Sequence, residues 1–459
     1  MHASNLNSEF RKNVSRLVIP SVLQMLVGNS FSLINTLMVG RLGDSAIAVV
    51  AAVGQIGFVL SMILTGVYGI TAFITQYHGK GDKHSLQQAF ALMLLSSVTV
   101  TLVLVAVVFV FKSSILRLFI NDPGAVQYGA HYLTLLLLVY LINSVKDTFA
   151  SALGAIGQVK ATLMIGLVSM SINAGLDYVL IYGKLGFPEY GIAGAAYATL
   201  VASVVGGTAL IVYVYVRKVS FHLTFRSLTS LKFAFVKRLY RTTLPLVVHE
   251  GLWSVGNMLY AVAFGYMGVT ALATFQLART FNGYFMMGIY GFAYAANVLI
   301  GQKLSRKEPD EAIAFARKFT ALTIVVSLFV SVAIAALSPY IVMLFSQTSG
   351  EVQTAFRHVM LIQAVLMLAY FLNNVWIVGM FRAGGDNVYT LKLILVTTWL
   401  IALPLVLAGA YLFHWPVEVV YVMFALEEVS KACIGYFRYR SNKWANNLTQ
   451  SGSESDKAA

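Results

Sequence analysis

Charge is scarce in this sequence. Only 11% of its 459 residues are Asp, Glu, Lys or Arg, against roughly 25% in an ordinary soluble domain, and so few charges cannot cover a surface that faces water. Cysteine is scarcer still. The single Cys433 excludes an intramolecular disulfide and a thiolate metal cluster. Phosphate-loop, HExxH, CxxC and GxSxG patterns are absent, which argues against ATP-driven chemistry and against an enzyme. Acids are the scarcer sign, 18 against 32 Lys and Arg, for a net charge of +14. In a soluble protein that balance would suggest nucleic acid; here it is read loop by loop, because basic residues gather on the cytoplasmic side of membrane proteins.

Apolar residues fill the space the charges leave. They make up 58% of 459 residues, enough for about a dozen spanning helices of ~20 residues each. The runs are continuous rather than alternating, which favours helices over barrel strands. Gly, Pro and charge clusters divide them into twelve segments near 15–40, 46–77, 87–111, 124–145, 158–183, 191–216, 240–266, 270–300, 315–337, 353–380, 389–412 and 416–437. The polar start, Met1 to Arg16, lacks the pattern of a cleaved signal peptide.

With both termini cytoplasmic, the inner side collects Arg11, Lys12, Arg16, Lys80, Lys83, Lys146, Lys160, the seven basic residues of the Arg217–Arg241 stretch including Arg226, the group Lys303, Arg306 and Lys307, Arg317, Lys318, Arg382, Lys392 and five near the C-terminus. The outer side has Arg41, Lys112, Arg117, Lys184 and Arg357. A bias of about five to one fixes this orientation as the expectation.

The sequence also repeats itself. Setting Pro20 on Pro245 places Gly40 on Gly265, Gly43 on Gly268 and Ala46 on Ala271; further on, after a three-residue slip, Gly157 with Thr162 falls on Gly385 with Thr390. An ordered series of this length implies a duplicated six-helix unit in parallel repeat, an architecture that suits transport. The expected organisation is 1–216 as the first lobe, 217–239 as a cytoplasmic linker, 240–440 as the second lobe and 441–459 as a polar tail.

A charge near the bilayer centre costs at least ~2.5–3.5 kcal/mol, so each one retained there is a functional hypothesis. Asp177 lies in the fifth segment with Asn173 four residues earlier on the same helix face. Together they offer oxygen ligands for sodium or a site for a proton, and Thr199 adds a hydroxyl if the sixth segment packs there. Glu250, beside His249, lies about one third into the seventh segment and suits a cation or a proton. Asn35 is deep in the first segment, and being neutral it can ligate but not titrate. Gln276, Arg279, Asn373, Asn374 and Trp253 are the remaining candidates for substrate contact, with Glu250 the expected partner of Arg279. Glu427 and Glu428 are placed mid-to-late in the last segment, toward its cytoplasmic end, with Lys431 in reach for a local ion pair.

Taken together these stretches resemble the multidrug and toxic compound extrusion (MATE) transporters. The resemblance rests on Leu37-Met38-Val39-Gly40-Arg41-Leu42-Gly43 closing the first helix, Gln76 through Asp82 after the second, Asn173 with Asp177 in the fifth, and Arg382-Ala383-Gly384-Gly385-Asp386 after the tenth. The run from His249 to Gly256 is similar to bacterial NorM-like members. The resemblance implies two six-helix lobes around a central cleft and efflux of cationic, lipophilic compounds driven by inward sodium or proton movement, without a cofactor. It also implies an ion site made by an acid in the first helix with the Asn and Asp of the fifth. Here Asn35 stands where the family usually has Asp, which leaves Asp177 as the one clear acid of that site and the coupling ion, H+ or Na+, open. The expectation is a monomeric, multi-pass antiporter of the inner or plasma membrane. The alternative is a lipid-linked oligosaccharide flippase of the same superfamily, which would need a strongly basic cavity.

Overall fold

A computed structural model of the chain describes residues 2–40, 42, 44–117, 123–222, 231–306, 308–343 and 349–449. Arg41 and Gly43 of the first-helix motif, Arg226 with the rest of 223–230, Lys307, and the tail beyond 449 lie outside them.

The described residues are helical throughout. In chain order the helices are α1 (His2–Gly40), α2 (Asp44–Val67, continued through a short 3-10 turn by Thr71–Lys80), α3 (Lys83–Leu116), α4 (Pro123–Ala155), α5 (Val159–Ile181), α6 (Ile192–Val216), α7 (Phe233–Tyr266), α8 (Val269–Ser305), α9 (Pro309–Met343), α10 (Gly350–Phe381), α11 (Asn387–Leu412) and α12 (Val417–Arg440). They coincide with the twelve apolar segments, and the protein is an all-α, multi-pass membrane protein. Nine of the described helices are long and apolar enough to cross a membrane by that measure alone. The other three are α1, α7 and α12. Of these, α7 carries Glu250 and α12 carries Glu427, Glu428 and Lys431 near mid-length.

Local chemistry sets the ends of these helices. Asp82 caps α3 by accepting from the Ser85 amide at 3.0 Å, and Gly81 before it takes the left-handed conformation, φ 79°, that closes α2. α4 runs ten residues past the apolar segment read from sequence. Lys146, assigned above to the inner boundary, is therefore inside the helix, because hydropathy breaks at a Lys-Asp pair whereas the backbone continues. Likewise α7 begins at Phe233, so the last part of the basic stretch is helical.

The chain forms two compact units, Ile19–Tyr240 and the remainder from Arg241 onward together with the residues before Ile19. The division falls within α1, beside Pro20. Phe10, at the start of α1, packs edge-on against Phe315 and Phe319 of α9 at 5.3 and 5.0 Å.

In the first unit the core gathers Val49, Val53, Leu116, Leu133, Ile181 and Ile192. α5 and α6 meet closely: a Cβ on Gly194 would lie 2.6 Å from the Leu180 carbonyl, so only glycine fits. Tyr182 ties α5 to α1 by donating to the Met38 carbonyl at 2.8 Å. In the second unit, Phe264 and Phe275 stack at 4.3 Å, with Tyr421 and Phe424 against them. Aromatic contacts of this kind contribute about 0.5–1.5 kcal/mol each beyond their burial.

The repeat is visible in hydrogen bonds. After α4, Gly157 has φ 85° and Gln158 N donates to Leu153 O at 2.8 Å; after α10, Gly385 has φ 69° and Asp386 N donates to Phe381 O at 2.9 Å. Thr162 and Thr390 each donate back to the carbonyl three residues earlier, at 2.8 and 2.9 Å. The second corner has an addition. Residues 441–449 lie over it with Trp444 fully buried, and a Cβ on Gly384 would come within 1.8 Å of the Trp444 carbonyl.

Candidate functional site

The first unit holds a buried acid with a free oxygen. Asp177 stands one turn from the C-terminal end of α5 and is 1% exposed, and its Oδ1 has no hydrogen-bond partner among the described residues. An ionised carboxylate left so incompletely bonded is costly. Such an atom is suited to hold a proton or a small cation. One turn earlier, Asn173 Nδ2 donates to Thr199 Oγ1 at 3.3 Å, and that hydroxyl donates in turn to the Ala195 carbonyl at 2.8 Å. The chain of donors fixes the Asn173 amide, whose carbonyl oxygen then stands ready as an acceptor. Asn173, Asp177 and Thr199 therefore belong to one contact region across α5 and α6. Asn35 is half-buried on α1 and makes no side-chain hydrogen bond among the described residues. Tyr132 of α4, also buried, lies within electrostatic reach of Asp177. Sequence reading passed over it, because one tyrosine among 24 carries no signal of its own.

The second unit distributes its charges differently. Glu250 sits at the middle of α7, which begins seven residues before the apolar segment, with Oε1 2.5 Å from Arg382 Nη2. His249 Nδ1 lies 3.6 Å from the same oxygen, too long for a hydrogen bond. This corrects the expected pairing of Glu250 with Arg279. Arg382 ends the π-helical stretch Asn374–Phe381 that continues α10, and 132 residues separate the partners, a relation no local pattern encodes. Arg279 instead lies over the Phe275 ring, 5.7 Å from its centroid.

Glu427 and Glu428 lie at the midpoint of α12. Lys431 Nζ bonds both, reaching Glu428 Oε1 at 3.0 Å and Glu427 Oε1 more closely. Tyr260 Oη donates to Glu427 Oε2 at 2.6 Å. Asn373 Nδ2 donates to the Glu428 carbonyl and to its Oε2, both at 2.8 Å, while Asn373 Oδ1 is buried without a partner among the described residues. Asn374 Nδ2 donates to Tyr370 O at 3.2 Å. Trp253 is half-buried, and Gln276 is exposed on α8.

With Glu250, Glu427 and Glu428 against Arg382 and Lys431, this group carries one surplus negative charge when all five are ionised and His249 is neutral. Of the three acids, the Glu428 side chain is the most open, 15% exposed against 9% and 5%. Among the described residues there is no cluster of three or more His, Cys, Asp or Glu that could hold a metal ion. Sequence reading missed Arg382 as a partner, and it missed Asp147, which follows Lys146 inside α4.

Comparison with known proteins gives the family and the fold. The MatE family profile matches twice, over residues 20–179 and 245–425, each match starting at one of the two prolines that align the repeat. The uncharacterized transporter YisQ of Bacillus subtilis is 23% identical over 427 residues, covering 92% of this chain and 91% of its own. The probable multidrug resistance protein NorM of Thermotoga maritima is 20% identical over 441 residues, covering 95% and 93%. Among solved structures, a MOP superfamily transporter from Pyrococcus furiosus superposes with a TM-score of 0.85 at 19% identity, over 96% of this chain and 97% of that one. The Vibrio cholerae MATE transporter VcmN in its bent form gives 0.86 at 18% identity, over 96% and 100%. These structures share the fold, and the doubled profile match carries the conclusion that the chain belongs to the MatE family of multidrug and toxic compound extrusion transporters.

Proposed function

We propose that this protein is a secondary antiporter that exports cationic, amphipathic compounds in exchange for H+ or Na+. The observation that carries the proposal is Asp177, buried at membrane depth with an unbonded carboxylate oxygen beside an amide already fixed by Thr199. In this reading Asp177 and Asn173 hold the ion, with Thr199 and Asn35 as accessory oxygens. The second unit binds substrate, with Glu250, His249, Gln276, Trp253, Asn373, Asn374 and Arg279 as the candidate surface. The ion shifts the conformational equilibrium only by the difference in its affinity for the two states. A carboxylate that must be neutralised when buried supplies such a difference. The protein acts as a monomer in the plasma membrane with both termini cytoplasmic, and neither a cofactor nor nucleic acid is involved.

A flippase for a lipid-linked diphosphate would need free basic groups in the interior. Arg382 and Lys431 are both held by acids, so of the three bases named in the second unit Arg279 alone has no acid partner among the described residues, and one base falls short of a strongly basic cavity.

The test is transport in proteoliposomes with the sodium and pH gradients imposed separately. One of the two should drive efflux of an organic cation, and that drive should vanish in Asp177→Asn. If neither gradient drives transport, or if Asp177→Asn retains full drive, the proposal fails.

A further inference from the structure

The bases of this chain are unevenly matched by acids. Between Glu189 and Glu250 the sequence holds seven Lys and Arg and no acid, whereas bases at other connections stand against carboxylates: Lys303 with Glu308 and Glu311, and Arg438 with Asp386. From Lys232 onward the unmatched stretch is described, and there α7 begins, seven residues before its apolar run.

One face of this first part of α7 is fastened to the first unit. Phe235 stacks on Tyr77 at 6.2 Å, Arg238 lies over the Phe235 ring and donates to the Tyr77 hydroxyl, and Leu239 is fully buried. The Tyr240 hydroxyl is 2.6 Å from Ser96 Oγ of α3. The helix is thus held in place before it turns apolar.

The opposite face is bare. Phe233, Lys237 and Tyr240 follow one another at i, i+4 and i+7, a single stripe of an α-helix, with Phe233 79% and Tyr240 40% exposed. Lys237 is exposed between them, and Lys232 is exposed just before the helix. Tyr77 also brings the α2–α3 corner close, where Lys80 and Lys83 are exposed and Asp82 is engaged in capping α3. Four exposed bases and two exposed aromatic rings therefore share one end of the first unit.

Exposed rings beside bases at the start of an apolar run fit the edge of a bilayer, where rings lie at headgroup level and ammonium groups reach phosphate. A soluble polyanion would satisfy the bases and leave Phe233 in water. We propose that this shelf binds the headgroup of an anionic phospholipid. Lys232 and Lys237 pair with its phosphate, Phe233 and Tyr240 lie against its glycerol and upper acyl chain, and Lys80 and Lys83 add to the field. The site is separate from Asp177 and does not depend on which ion or compound the protein carries.

The experiment is an intact-mass measurement of the purified full-length protein in detergent, titrated with one phospholipid at a time to give the affinity for the first lipid bound. Phosphatidylglycerol should bind ~10-fold or more tightly than phosphatidylcholine with the same acyl chains, at about fivefold per lysine. Lys232→Gln with Lys237→Gln should bring that ratio to near one, and Lys232→Arg with Lys237→Arg should keep it. Removing the same charge from the second unit, by Lys392→Gln with Lys443→Gln, should leave it in place. All four lysines are exposed, so these variants fold as the unaltered protein does. Glycerol 3-phosphate, which has the phosphate without acyl chains, should not displace the lipid at equal concentration. A ratio near one in the unaltered protein, a ratio unmoved by the two Gln changes, an equal fall in the second-unit control, or displacement by glycerol 3-phosphate overturns the proposal.

Discussion

The two halves of this transporter repeat a fold but not a charge distribution. In the first unit Asp177 is buried with an oxygen left unbonded, and its amide neighbour is held by a hydroxyl rather than by a countercharge. In the second unit each embedded acid is engaged: Glu250 by Arg382, and Glu427 and Glu428 by Lys431. Duplication kept what the backbone needs, the glycine corners and the threonines behind them. The functional side chains then diverged. On the function proposed above, the acid without a fixed partner is the one that exchanges its ion, and the acids with partners shape the field that a substrate meets.

The comparison can be broken most forcefully at Lys431. Lys431→Met leaves two adjacent carboxylates at the middle of α12, and removing one partner of a buried ion pair typically costs about 3–5 kcal/mol. The variant should lose most of its folded yield in a thermal or denaturant unfolding assay, and a triple change that also makes Glu427 and Glu428 into Gln should restore it. Unimpaired folding of Lys431→Met would show that the acids of the second unit do not need their base.

Asp177→Asn should act in the opposite sense. It should cut gradient-driven efflux by ~100-fold, about 2.7 kcal/mol in transition-state terms, while stability stays level or rises, since a buried group with an unbonded oxygen no longer has to carry charge. A variant that unfolds and keeps its drive per folded molecule would exchange the roles assigned to the two halves.

Gly194→Ala tests whether the α5–α6 contact positions the first site. The new Cβ would stand 2.6 Å from the Leu180 backbone, and overpacking of this kind costs about 1–3 kcal/mol. Unfolding measurements should register that loss, together with a weaker response to the driving ion. The smallest effect is expected from Thr199→Val, which frees the Asn173 amide without removing charge. It should raise the ion concentration for half-maximal transport by ~10-fold or less, about 1.4 kcal/mol, and leave the maximal rate unchanged. A change in rate alone would argue that Thr199 does not touch the ion site.

Much of this was legible in the sequence, for physical reasons. Twelve apolar runs can only be twelve helices in a bilayer, because each must bond its own backbone. Asp177 with Asn173 was legible because four residues is one helical turn. Arg382 as the partner of Glu250 was not, since it is 132 residues away and a contact across two helices leaves no periodic trace. Lys146 and Asp147 were concealed by the feature that makes them unusual: two charges ended the apolar run, and the run was taken to be the helix.

The covered corner after α10 bears on how the molecule can bend. Trp444, in the segment after α12, is fully buried, its backbone against a glycine that admits no side chain, and Asn447 reaches from the same segment to the Leu304 carbonyl at 2.9 Å. The tail thus fastens the ends of α8 and α10 to the segment that follows α12. It works as a strap that stiffens one half of a duplicated machine. A tag fused close behind it, or a truncation before residue 444, would alter the elasticity of the carrier as well as its length.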